Sequence, residues 1–367
     1  MKRYSALEFP EYAKWEPNEG AMAEFRSTIT MSASRHEMIQ ALSKETHLAL
    51  YRSLLRARLH DIQLKRWVRQ GVITKAWLGT GEEAVTIGAC KAMRPGDVVG
   101  PMIRNAAALM EQGMSLETCF AGYLGTTETI TRGRDLHIGD PAKGVIPPIS
   151  HIGDLVPVMA GCALAFKQEN SPKIALTWTG DGSTATGAFH EGMKMAASLS
   201  VPLICIVQNN QVALGTQRQT HFPGSFDQLG AAYGVHQIKM SGNHILDCYA
   251  ATREAVAHIE TKGGPVLIIT ETFRMGGHAT HDEKEARELF DDETYRYWGA
   301  RDPIGCYETF LMEDLSITQK ELESAEKEMI ELVDRAARTA VSKVETHQPN
   351  VDDVGLGVYA EDTIIHD

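Results

Sequence analysis

No stretch of the 367-residue sequence approaches the roughly 18 consecutive apolar residues of a membrane-spanning helix, which argues against a membrane protein. There is no C-x-x-C pair. The six cysteines, Cys90, Cys119, Cys162, Cys205, Cys248 and Cys306, are dispersed, and several lie in apolar runs. They read as buried reduced thiols behaving as small hydrophobes, not as a zinc site or a disulfide framework. Positive charge is scarce: 36 Lys and Arg stand against 48 Asp and Glu, a net charge of −12. A general nucleic-acid binder would present a basic face. The first twenty residues are acidic, broken by Pro10 and Pro17, and lack the apolar core of a secretory signal. With the free thiols, this sets the expected location as a reducing cytoplasm. No internal repeat or low-complexity tract occurs. What is present, 43% hydrophobic and 23% charged residues, is the composition of a globular protein.

Residues 1–35 carry Pro10, Pro17 and Gly20 without sustained periodicity and are expected to form an extended arm. The remainder, 36–367, is expected to be one α/β domain with a C-terminal helical segment. From Met38 to Gln70, Leu42, Leu48, Leu54, Leu55, Leu59, Ile62 and Trp67 recur at helical spacing. Further on, Lys173–Thr179, Val201–Val207 and Gly264–Thr270 are strand-like, and Gly187–Leu199 reads as a helix between the first two. Strand, helix, strand at this spacing implies a crossover and hence a parallel sheet covered on both faces. A charged amphipathic helix is expected over about Thr318–Thr346, followed by an acidic, turn-rich segment from Val351 to Asp367.

The most informative segment is Gly180-Asp181-Gly182-Ser183, ending in Asn209-Asn210-Gln211-Val212. Asp181 follows a strand's carboxyl end, where ligands bind in open α/β sheets. Glycines at 180 and 182 allow a sharp turn and close approach of a ligand. The N–H groups of Gly182 and Ser183 can then face phosphate oxygens near a helix N-terminus. Asp181 supplies a hard anionic oxygen. Asn210, at the end of the next strand, supplies an amide oxygen, and the Val212 carbonyl can complete the protein side. With diphosphate oxygens and water, this gives the octahedral oxygen shell that Mg²⁺ prefers. A lone GDG or Asn-Asn pair is usually only a turn; their conjunction across a crossover is much rarer.

This segment resembles the thiamine diphosphate signature of the α subunits of 2-oxoacid dehydrogenases, the decarboxylating component of those complexes. The resemblance runs from about Leu50 to Glu361. Gly81-Glu82-Glu83-Ala84 is similar to the family's G-[EQ]-E-A. Arg94-Pro95-Gly96-Asp97 leads to Ile103-Arg104, at the place of a Tyr-Arg pair whose Arg grips the cofactor diphosphate. Ser150-His151-Ile152-Gly153 resembles the strip that receives the aminopyrimidine ring, with Ser150 and Ile152 at the contact positions. Phe273-Arg274-Met275-Gly276-Gly277-His278 resembles a Y-R-x-x-G-H loop, and Tyr297-Trp298 with Arg301-Asp302-Pro303-Ile304 a closing element.

The resemblance implies a thiamine diphosphate-binding α/β fold with a central parallel sheet flanked by helices. It implies an α₂β₂ heterotetramer whose β subunit supplies the carboxylate that activates the pyrimidine; this chain offers no good substitute. The cofactor site implied comprises Ile103, Arg104, Ser150, Ile152, Asp181, Gly182, Ser183, Asn210 and His278, with Mg²⁺ held by Asp181, Asn210 and Val212. The reaction implied is oxidative decarboxylation of a 2-oxoacid with acyl transfer to a lipoyl-bearing acyltransferase component. His278, on a mobile loop, is the expected catalytic residue, donating a proton near neutral pH. Arg274 is expected to order that loop. His137, beside Asp135, is either structural or set behind the site, and a metal centre at His278, His281 and Asp282 is disfavoured.

Three positions depart from the family's pattern. Ile103 replaces a Tyr whose hydrogen bond to phosphate would be worth about 1.5–3 kcal/mol. Trp77 stands where pyruvate-type members often carry a His. Ala279 replaces a phosphorylatable Ser. The Gly-Glu-Glu stretch and the loop at Gly277-His278 lean toward a branched-chain 2-oxoacid, with pyruvate and acetoin open. An acetoin-cleaving or carboligating subunit is the alternative enzyme; a subunit that binds cofactor without turnover is the non-enzymatic one.

Overall fold

A computed structural model describes residues 15–353. At its centre lies a five-stranded parallel sheet. In chain order the strands are β1 (Val98–Gly100), β2 (Ala175–Gly180), β3 (Leu203–Asn209), the short β4 (Val212–Ala213) and β5 (Thr216–Gln217), β6 (His236–Ser241) and β7 (Val266–Glu271). The central sheet has the order β1-β2-β3-β7-β6, and β4 and β5 form a separate antiparallel pair. Strands β2, β3 and β7 are apolar almost throughout because both faces of the sheet are covered. All three expected strands begin two residues later than their apolar runs suggest, and in two of them a proline precedes the start. Pro202 and Pro265 lack an N–H for the ladder, so pairing starts at Leu203 and Val266.

The register positions the site. Gly180 pairs with Gln208, and Asn209 with Glu271. Because every strand of this sheet runs the same way, β1, β2, β3 and β7 all end at one edge. The segments carrying Arg104, Asp181, Asn210 and His278 therefore leave the sheet together. The crossover helix Gly187–Leu199 starts from Thr186, whose hydroxyl accepts from the Phe189 N–H.

The N-terminal region differs from expectation. Residues 15–35 are not an extended arm. Glu19–Thr30 is a helix capped by Asn18, and Ala33–Gln40 is a second helix capped by Ser32. Pro17 lies just before the first cap, where it costs no helical bond. Met22, Phe25 and Ile29 share the face that the first helix buries, and the Phe25 ring stacks on His244 at 3.6 Å. Trp15 is buried, its indole N–H donating to the Gly299 carbonyl at 3.0 Å. The rest of the expected arm, 1–14, and most of the acidic closing segment, 354–367, lie outside the described residues.

The long helix Lys44–Arg69 begins at the cap Ser43 and buries most of its length. Its Arg58 bridges two other parts of the chain, pairing with Glu83 and, at 3.0 Å, with Asp302. The amphipathic helix near the C-terminus spans Gln319–Ser342 and opens with a capping box between Thr318 and Glu321. Among the described residues no helix is long and apolar enough to cross a membrane.

Candidate functional site

β2 ends at Gly180, and Asp181–Ala185 forms one tight turn of helix. Asp181 is 1% exposed. Its Oδ1 accepts from the Gly182 N–H at 2.8 Å, so that N–H points back to its neighbour and not outward as expected. Oδ2 is buried without a hydrogen-bond partner; His221 Nε2 lies 3.7 Å away from it. Burial pushes the Asp181 carboxyl above the usual carboxylate range, against the opposing pull of the Gly182 N–H, His221 and Arg104. Gly182 is required by its neighbour: a Cβ there would lie 2.4 Å from the Ala213 Cβ. Ser183, buried in the same turn, lines the adjacent cavity.

Asn210 follows β3 and is buried. Its Nδ2 donates to Glu82 Oε1 at 3.0 Å, leaving Oδ1 with only a long 3.4 Å approach from the Val212 N–H. Val212, also buried, pairs with Gln217 in the short hairpin. Glu82 collects the donors of this corner. Besides Asn210 it accepts from Gln208 Nε2 at 2.8 Å and from Arg104 at 3.4 Å, while Asn105 donates to Gln208 at 2.8 Å. Motif similarity singled out Glu82 but gave it no role. His221 carried no sequence signal, since its nearness to Asp181 arises only in the fold.

Arg104 sits in the turn Ile103–Asn105. Its Nη2 is 3.2 Å from His278 Nδ1. A guanidinium can only donate, so Nδ1 accepts and the imidazole proton resides on Nε2. Burial, followed by the positive charges of Arg104 and Arg274, pushes His278 down to about 4. At neutral pH this side chain is therefore a neutral hydrogen-bond donor, not the ready proton source expected of it. Its loop is also tied down. Arg274 donates to the Leu214 carbonyl at 2.7 Å and to Gly276 at 3.1 Å. Asp282 accepts from the N–H groups of His278 and Ala279 at 3.1 and 2.8 Å, and the Thr280 N–H donates to Ala76 at 2.9 Å. His281 is exposed.

A cavity of about 310 Å³ adjoins these groups. Ile103, Arg104, Ser150, Ile152, Ser183 and His278 reach its wall, joined by Trp77 and His137. Asp181, Gly182, Asn210 and Val212 do not; Asp181, Asn210 and Val212 are buried and Gly182 is half-buried. On the wall, Ser150 Oγ is 3.0 Å from His137 Nε2, and His137 Nδ1 is 2.7 Å from Asp135 Oδ1. Burial acts to raise the Asp135 carboxyl, but hydrogen bonds from the His137 ring and N–H outweigh it and hold the group below its ordinary value. A larger cavity of about 650 Å³ lies elsewhere, among Ile29, Ile39, Leu42 and Phe310. Among the described residues no cluster of three His, Cys, Asp or Glu side chains could hold a metal ion, so a cation here would depend on Asn and carbonyl oxygens as well.

The model of the family described as "Dehydrogenase E1 component" matches residues 51–349. The chain is 31% identical over 330 residues to the pyruvate dehydrogenase E1 component subunit alpha of Acholeplasma laidlawii, covering 89% of this chain and 92% of that protein. It is 30% identical over 275 residues to the mitochondrial 2-oxoisovalerate dehydrogenase subunit alpha of Caenorhabditis elegans, covering 74% of this chain and 63% of that one. The human protein of the same name gives 30% identity over 275 residues, with 74% and 61% covered. The chain thus spans less than two thirds of these two mitochondrial relatives.

Proposed function

The chain belongs to the dehydrogenase E1 component family, and we propose that it works as the α subunit of a thiamine diphosphate-dependent 2-oxoacid dehydrogenase. The observation that carries this reading is the oxygen pair beside the cavity. Asp181 Oδ2 is buried and unpartnered, and Asn210 Oδ1 is left nearly free because Glu82 holds the other end of the amide. A buried carboxylate oxygen without a partner is costly unless a cation meets it. An all-oxygen donor set suits Mg²⁺, which Asp181, Asn210 and the Val212 carbonyl would hold. Arg104, on the cavity wall, would neutralise the diphosphate, and Ser183 would border it. Ser150 and Ile152 would contact the aminopyrimidine.

Thiamine diphosphate, when bound, supplies the electron sink that lets CO₂ leave a 2-oxoacid. His278 would offer its Nε2–H to the reacting oxygen as a neutral donor. Decarboxylation would end in acyl transfer to a lipoyl-bearing partner. A branched-chain 2-oxoacid is favoured over pyruvate because Trp77, Met102, Ile103, Ile149 and Ile152 make the cavity wall apolar.

The need for a β subunit in an α₂β₂ assembly rests on the cavity's charge. Its titratable lining groups are Arg104, His137, His151 and His278, with no carboxylate among them. Glu82 and Glu83 are both engaged in buried networks. The carboxylate that activates the pyrimidine would then come from the partner chain.

The test is Asp181→Ala. With the variant, Mg²⁺-dependent binding of thiamine diphosphate, followed by titration calorimetry, is expected to disappear. Unchanged binding would overturn the site. Dye-linked decarboxylation without acylation of a lipoyl domain would favour an acetoin-cleaving or carboligating subunit instead.

A further inference from the structure

We propose that Asp135, His137 and Ser150 form a proton relay that leads from solvent into the cavity and serves the 2-oxo oxygen of the substrate. The inference rests on the 2-oxoacid reading above. Its geometry is that of a directed chain. Asp135 Oδ1 lies 2.7 Å from His137 Nδ1, and His137 Nε2 lies 3.0 Å from Ser150 Oγ. The same Asp135 oxygen accepts the His137 main-chain N–H at 3.0 Å, so the ring and the carboxylate are locked together. The Asp135 side chain is 57% exposed, whereas His137 and Ser150 line the cavity. Asp135 therefore meets water at one end, and at the other Ser150, itself exposed in this chain, meets the space where substrate would react.

The backbone holds the parts in place. Residues 137 and 150 flank a hairpin-like excursion in which Asp140 and Val145 exchange N–H to carbonyl bonds, each 3.0 Å long. Gly139 lets the two limbs approach; a Cβ on it would stand 2.7 Å from Pro147 N. Ile138, between them in sequence, is anchored in the core. On the opposite side of Asp135, the Thr131 hydroxyl donates to its carbonyl at 2.6 Å.

The chemistry requires such a group. A 2-oxo oxygen changes from C=O to C–OH when its carbon gains a new bond, and returns to C=O when the acyl group leaves. The first change consumes a proton and the second releases one. Ser150 passes its hydroxyl proton to the oxygen and recovers one from His137 Nε2, and His137 is reprotonated from solvent while Asp135 balances its charge. The outward transfer runs in reverse. His278, the other conspicuous histidine on the wall, has Nδ1 occupied by Arg104 and is suited to orienting the oxygen instead. The charged and titratable groups around His137 include Asp135 and Arg134 on its own segment, His151 beside Ser150, and Arg104 and His278 on the rest of the cavity wall.

The experiment uses the α chain assembled with its β subunit and cofactor. Ser150→Ala and His137→Asn are each expected to lower kcat about 100-fold, the low end for a lost acid–base group, and the double variant to fall no further. In Asp135→Asn the pH-rate limb due to His137 should move to lower pH, and in His137→Asn it should vanish. In Asp135→Asn and His137→Asn, which alter no residue assigned above to the cofactor, thiamine diphosphate affinity, read by quenching of intrinsic fluorescence, should change less than about two-fold. Single variants that keep kcat within about two-fold, a double variant whose losses multiply, or an Asp135 or His137 variant that loses cofactor affinity in step with kcat overturn the relay alone. A wild-type complex that binds cofactor but turns over no 2-oxoacid overturns the function above and the relay with it.

Discussion

The Glu82 carboxylate accepts the Asn210 amide N–H at 3.0 Å, and that bond decides which way the amide faces. With Nδ2 turned to Glu82, Oδ1 is turned away from it. The same carboxylate holds Arg104 at 3.4 Å, so one buried acid aligns the groups proposed for the metal and for the diphosphate. Glu82→Gln would place an NH₂ group where only acceptors serve. It is expected to weaken Mg²⁺-dependent thiamine diphosphate binding by about 1.5–3 kcal/mol, the worth of a hydrogen bond to a charged group. Calorimetric titration of the variant checks this; unaltered affinity would show that Asn210 is oriented by something else.

Asp181 should trade stability for binding. A carboxyl whose folded value is raised binds its proton more tightly in the fold than in the unfolded chain. Native stability therefore falls as pH rises from the ordinary value of 3.8 through the raised one, and the cost persists at neutral pH. Asp181→Asn is expected to stabilise the cofactor-free chain by about 1 kcal/mol while removing the thermal shift produced by Mg²⁺ and thiamine diphosphate. Thermal melts with and without ligands read both effects, and a destabilised cofactor-free variant would contradict the argument.

His278 gives the opposite sign. It titrates at about 4 in the fold against an ordinary value of 6.5, so the unfolded chain takes up its proton first. Stability present above pH 6.5 is lost as pH falls toward 4. Buried His244, also pushed down to about 4 by desolvation, acts in the same direction. His278→Gln should flatten, without abolishing, the decline in melting temperature between pH 6.5 and 4. A wild-type and variant pH series that superimpose would mean that His278 is not depressed.

Gly182 tests whether the tight turn depends on its contact with β4. Gly182→Ala drives a methyl group into Ala213 at 2.4 Å, an overpacking expected to cost about 1–3 kcal/mol and to weaken cofactor binding. The double substitution with Ala213→Gly removes the clash and should restore most of both. Failure of that rescue in paired melting and binding measurements would place the requirement for glycine elsewhere.

Much of the sheet was legible in the sequence because β2, β3 and β7 are buried on both faces and must be nearly continuous apolar runs. The starts of β3 and β7 were displaced by Pro202 and Pro265, whose effect concerns ladder bonds and not hydrophobicity. The helix Glu19–Thr30 was missed for a different reason. Its amphipathic face rests on a few residues such as Met22, Phe25 and Ile29, and partners like His244 and Phe310 lie more than 200 positions along the chain. Asp181 and Asn210 were readable because glycine turns and strand ends are local features. Glu82 was visible only as part of a similar motif, and His221 not at all.

The sequence by itself determined the parallel crossover, the strand-end positions of Asp181 and Asn210, and the family to which their pattern belongs, because alternation of apolar runs with glycine turns encodes where strands stop. Tertiary structure alone decided the state of those groups. His278 is a readable residue, yet its neutrality comes first from its burial and then from Arg104 and Arg274 beside it. Asp135 and His137 are neighbours in sequence, but their line to Ser150 exists only because the 138–148 excursion closes on itself. Charge state and proton direction depend on distance and burial, and those are properties of the fold.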